Sequence, residues 1–194
     1  MSHHFEYPLV ETTEVIATMQ NWLERAVIGL NLCPFAKSVH VKRQIHYVVY
    51  CGVDAQECLA LVRDELRELA LADAEIRDTT LLIAPYAWPD FLGFNEFVGQ
   101  AERMLRKTKF DRDFQIASFH PRFQFADSEL NAISNYTNRA PFPTLHLLRE
   151  ASIDRAVSVF PNAESIFEKN IATLERIGHL GWDALGLSVT KEAP

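Results

Sequence analysis

Between Ser118 and Glu150 the chain reads SFHPRFQFADSELNAISNYTNRAPFPTLHLLRE, and this stretch gathers most of the side chains able to do chemistry: His120, His146, Arg122, Arg139, Arg149, Asn135 and Asn138. An imidazole changes charge near neutral pH, so His120 is a candidate general acid or base. Guanidinium and carboxamide groups present planar donors that match carboxylate and phosphate oxygens, which makes Arg122, Asn135, Asn138, Arg139 and Arg149, together with the imidazole of His146, candidate binders of a small anionic substrate. Cys33, in GLNLCPFAK, is a candidate nucleophile wherever the fold brings it near His120. These residues point to an enzyme that acts on a phosphate or carboxylate compound and requires no cofactor.

Each assignment has a plainer counterpart. About 23 residues from Pro121 to Pro143 follow no helical or strand period, far beyond an ordinary connection. An ordered excursion of that length must satisfy its own backbone groups, and its arginines and asparagines are suited to that work. The rival reading is therefore a ligand-binding or partner-binding module without chemistry. A third reading, a metal-dependent hydrolase using His120 and His146, is weakened because separations of 87 and 26 residues along Cys33, His120 and His146 follow no metal-ligand spacing. Cys33 is ambiguous as well: at a helix C-terminus its thiol pKa rises, whereas at the start of a turn opened by Pro34 it falls. No glycine-rich phosphate loop, G-x-S-x-G elbow or H-E-x-x-H helix occurs.

Periodicity supplies the elements that must position these groups. Apolar residues at three and four residue steps predict helices over 12–30, over the segment from Asp54 to about Asp73, along the face carrying Phe91, Phe94, Phe97, Val98, Ala101 and Leu105, and along a final long helix burying Ile166, Phe167, Ile171, Leu174 and Ile177. Thr12 or Thr13, Asp54 and Ser152 are the expected N-caps, Pro161 and Asn162 are expected to start the last helix, and Gly178 to stop it. Strands are expected at 44–50, 79–84, 114–120 and 144–149. The order implies an α/β or α+β fold: a small mixed sheet of about four strands covered by helices in two or three layers, its first-half strands parallel where they pair. Ligands in such sheets sit beyond the carboxyl ends of strands, where the third strand delivers His120. Trp88 and Trp182 read as packing anchors.

Bulk properties narrow the class. With 194 residues the chain suits one domain spanning 1–194, and 48% hydrophobic against 23% charged residues is a globular mixture. A net charge of −7 disfavours nucleic acid, and the basic run Arg103, Arg106, Lys107, Lys109 and Arg112 falls where a helix ends. The absence of a long apolar run or signal-like start, and three cysteines without a C-x-x-C pair, lead to the expectation of a cytoplasmic protein that binds no membrane.

GLNLCPFA, SFHPRFQFAD and NYTNRAPFPTLHLLREASIDRAV together resemble the bacterial domain-of-unknown-function family 1415, in the same order and over nearly the whole chain. The resemblance implies one domain and places the characteristic positions at Cys33, Pro34, His120, Pro121, Asn135, Asn138, Arg139, His146 and Arg149. It implies no reaction.

Overall fold

The computed structural model describes residues 11–158 and 165–187. Four strands form the sheet: β1 (Ile45–Val49), β2 (Thr79–Ile83), β3 (Phe114–Phe119) and β4 (Thr144–Arg149), in the spatial order β1-β2-β4-β3. β1 and β2 are parallel, while β4 runs antiparallel to both β2 and β3. The first three strands thus share one direction, as a right-handed crossover requires of β1 and β2. β4, the last in sequence, is inserted between β2 and β3. Sequence order alone could not show that insertion.

The strands alternate faces with the period of two that their composition foretells. On one face Leu82, Leu145, Leu147 and Phe114 meet Cys58, Val62, Leu66 and Leu69 of α3 (Ala55–Leu71) and Phe94, Phe97, Val98 and Ala101 of α4 (Phe91–Lys107). On the other, Leu81 and Ile83 meet Val15, Met19 and Trp22 of α1 (Thr12–Trp22) and Leu174 and Trp182 of α6 (Ile166–Asp183). The molecule is a three-layer α/β/α arrangement, and α5 (Glu150–Ser158) follows directly from β4. Every residue of β2 is buried, as a central strand covered on both faces should be.

Asp54 caps α3 through its carboxylate, which accepts from the amides of Gln56 and Glu57 at 2.8 and 2.9 Å. Asp90 caps α4 through the Gly93 amide at 2.8 Å. Other termini differ from expectation. Glu11, not Thr12 or Thr13, occupies the cap of α1, and no side chain bonds there. The first helix widens into a π-helical segment, Leu23–Ile28, before Asn31 turns the chain with φ 55° and the short α2 (Ala36–Val41) begins. Ser152 lies inside α5, where its hydroxyl bonds the Asp78 carboxylate instead of capping. Gly178, at φ 61° and ψ −174°, interrupts α6 without ending it: the chain resumes a helical path to Asp183. Phe167, expected inside, is 52% exposed. The expected start at Pro161 and Asn162 falls outside the described residues.

Candidate functional site

A cleft of about 640 Å3 opens at the sheet edge where β2 and β3 end and β4 begins. Three breaks in regular structure build it. Pro85 to Pro89 leave β2, His120 and Pro121 leave β3, and Pro141 to Pro143 lead into β4. Proline ends strands by withholding an amide donor, so a ring of prolines at one sheet edge opens the layers there. Trp22 reaches the cleft from α1 and Trp182 from α6, so all three tryptophans of the chain line it together with Trp88.

His120 stands at the back, only 2% exposed. Its Nδ1 accepts the Arg122 amide proton at 3.0 Å, so the proton of the neutral ring is on Nε2, which donates to the Trp88 carbonyl at 3.0 Å. The ring stacks against Phe94 at 5.2 Å between centroids and lies near Phe91. Burial lowers its pKa, only partly opposed by the bond to Trp88. Both nitrogens are thus engaged, and the neutral form is favoured.

The bond to Trp88 carries a backbone consequence. Trp88 has φ 53°, a left-handed conformation costly for a bulky residue, and Pro89 behind it adds further restriction. Its carbonyl is held by His120, and its indole stacks on Phe97 with centroids 4.1 Å apart and planes 24° apart. Histidine and core together fix the indole on the cleft wall.

Arg122 and Arg139 also line the cleft. The Arg139 guanidinium is built into the loop: Nε donates to the Phe123 carbonyl at 3.2 Å, Nη2 to the Leu130 carbonyl at 2.8 Å, and the group lies 4.3 Å over the Tyr136 ring. Its own carbonyl accepts from the Trp22 indole at 2.9 Å. The Arg122 guanidinium is exposed and makes no hydrogen bond or ion pair among the described residues. Asp183, on the same lining, is likewise outside any ion pair with it.

The other sequence candidates lie elsewhere. Asn135 is fully buried and serves the loop: its Oδ1 accepts from the Phe125 amide and the Ser128 hydroxyl, and its Nδ2 donates to the carbonyls of Glu129 and Leu130. Asn138 ties the 3-10 turn Ile133–Asn138 to the sheet, with Nδ2 donating to the Ser118 carbonyl at 3.2 Å and its carbonyl accepting from the His120 amide at 3.1 Å. His146 points to the opposite sheet face from His120, near Phe119 at 6.3 Å, and burial pushes its pKa down to about 4. Arg149 sits at the far end of antiparallel β4, about 17 Å of strand beyond Thr144. There its guanidinium closes α3 by donating to the carbonyls of Leu69, Ala72 and Arg77.

Cys33 lines neither this cleft nor the smaller one described below; it packs against the α1 and α6 face, and burial raises its thiol pKa. Among the described residues no three His, Cys, Asp or Glu side chains gather as metal ligands, and no helix is long and apolar enough to cross a membrane.

Sequence reasoning therefore placed the cleft at the end of β3 but overlooked its aromatic walls. Trp88 and Trp182 read as packing anchors, which each of them also is, and Trp22 packs likewise. The signal available was YAWPD: a tryptophan held between a strand and a helix start by a following proline.

No curated protein matches the chain, and no solved structure matches it. The family described as protein of unknown function (DUF1415) matches residues 14–184, which include every strand and all but the first two residues of the described helices, and the chain belongs to that family.

Proposed function

We propose that the protein binds a small molecule with a flat or apolar body and one carboxylate or phosphate group in the cleft beyond β2 and β3. The observation that carries this reading is the unengaged Arg122 guanidinium on a wall rich in tryptophan, tyrosine and proline. Predominantly apolar concavities with a few directing polar groups are the usual form of small-ligand sites, and this volume lies in their range. Arg122 supplies a two-pronged donor, the indoles supply flat area, and Asp183 turns the anionic end toward the arginine.

Binding without catalysis is favoured over acid–base chemistry by the state of His120. A general base needs a free lone pair, and the Nδ1 lone pair already accepts the Arg122 amide; a general acid needs an available proton, and the Nε2 proton is given to Trp88. Its work here is to hold the cleft wall.

Because all three tryptophans line the cleft, their fluorescence reports occupancy directly. Titration with phenyl phosphate and benzoate, excited at the red edge of indole absorption, is expected to give a saturable change, with neutral benzyl alcohol binding at least tenfold more weakly. Arg122→Ala should weaken phenyl phosphate by about tenfold or more, the worth of one charge-assisted pair. Equal affinity in the variant, or no saturation by either anion at millimolar concentration, would overturn the reading.

A further inference from the structure

A second concavity, of about 410 Å3, lies between the GLNLCP turn and α6, away from the cleft above. Its lining shares no residue with the first. From α6 it takes Lys169, Thr173 and Arg176, at positions i, i+4 and i+7, so the three side chains form one stripe facing the turn. From the turn it takes Asn31, whose φ of 55° bends the chain around the opening, and Pro34.

The electrostatics of this lining are one-sided. Among the described residues two cations and no carboxylate border it, in a chain whose net charge is −7. Neither Lys169 nor Arg176 makes an ion pair or a hydrogen bond among the described residues. Acidic neighbours exist on the same helix, Glu168 and Glu175, yet neither lines the concavity. Surface cations left without carboxylate partners around a hollow are arranged for an anion from outside.

The floor is rigid. Asn170 is 6% exposed, and its Nδ2 donates to the Leu32 carbonyl at 2.9 Å, fastening the turn to α6. That bond leaves its Oδ1 acceptor without a donor among the described residues. The concavity therefore offers two cationic donors, the Thr173 hydroxyl and one carboxamide acceptor. A carboxylate has two oxygens for these three donor groups and, alone, no proton for the acceptor. A phosphate monoester on a hydroxylated carbon body uses both: its oxygens take the cations and threonine, and a neighbouring hydroxyl donates to Asn170.

We infer that this concavity is a second anion site, selective for phosphate monoesters of hydroxylated carbon bodies. The inference stands on its own lining and is independent of the ligand proposed for the tryptophan-lined cleft.

The test is a 15N-correlated NMR titration of the full chain with inorganic phosphate and with ribose 5-phosphate, at constant ionic strength against chloride. The amides of Asn31 and Thr173 and the side-chain amide of Asn170 should shift saturably, with ribose 5-phosphate the tighter ligand. Lys169→Ala and Arg176→Ala replace exposed helix residues by the best helix former, so the fold is kept. The double variant should weaken ribose 5-phosphate by tenfold or more, while Arg122→Ala leaves it unchanged. Shifts that persist in the double variant, or that vanish only with Arg122→Ala, would overturn the inference. So would the absence of saturable shifts with both ligands at millimolar concentration.

Discussion

His146 offers the most quantitative check on the sheet. It occupies the centre of β4, in one cross-sheet row with Tyr47, Leu81 and Ala117, and packs near Phe119. Burial, with no counter-charge to oppose it, moves its pKa from 6.5 to about 4. The native state thus refuses a proton that the unfolded chain accepts, and stability rises with pH wherever the unfolded state binds more protons. The contribution is complete above pH 6.5 and is lost as pH falls toward 4, beyond which both states are protonated. A shift of this size corresponds to about 3 kcal/mol in full, and to about 2.5 kcal/mol between pH 7.5 and 4.5. Urea unfolding at these two pH values reads the loss. His120 and His46, both shifted in the same direction by burial, add to the slope of the wild type. Comparison with His146→Gln, which keeps a polar side chain of similar size but cannot titrate, isolates the one residue. The wild type should lose about 2 to 3 kcal/mol more than the variant over this interval. Parallel stability curves, or an NMR titration placing the His146 pKa near 6.5, would refute the burial argument.

Two further outcomes follow from buried or fixed groups. Arg149→Met keeps the aliphatic stem but strips the donors from the Leu69 and Ala72 carbonyls at the end of α3 and from the Arg77 carbonyl before β2, and should cost about 3 kcal/mol; hydrogen exchange near Leu69 to Ala72 should quicken more than in α4, and a loss spread evenly over both helices would contradict the capping role. Cys33, with its thiol pKa raised, should be alkylated by iodoacetamide more slowly than the exposed Cys51 at pH 7.5; faster labelling of Cys33, read by peptide mass spectrometry, would restore the case for an activated thiol.

The positions of the four strands could be read from local pattern because each is a short β-branched or apolar run bounded by breakers, and the amphipathic α3 and α4 follow a helical period with Asp caps. Their lateral order could not, since inserting β4 between β2 and β3 depends on which edges pair, not on any residue of β4 alone. That order decides the fate of the histidine and arginine candidates. Had β4 run parallel to β3, Arg149 would have emerged beside His120; running antiparallel, it brings Phe142 and Pro143 to the cleft and carries Arg149 to the opposite edge.

The loop between β3 and β4 explains why a cluster of functional-looking residues can be mostly architecture. Twenty-odd residues without a regular ladder need other donors and acceptors for their backbone. Asn135 meets three such needs alone, Asn138 ties the loop to β3, and the Arg139 guanidinium serves the Phe123 carbonyl and shares that of Leu130. What distinguishes Arg122 is not its residue type but its lack of such employment: it follows the Pro121 turn, its amide holds the histidine, and its guanidinium extends without a described partner along an aromatic wall. The same criterion separates Lys169 and Arg176 from Arg77, whose guanidinium is paired with Glu65 and Thr80. In a protein whose guanidinium groups are largely spent on its own carbonyls and carboxylates, the cations left unspent beside a concavity are the ones on which both proposals rest.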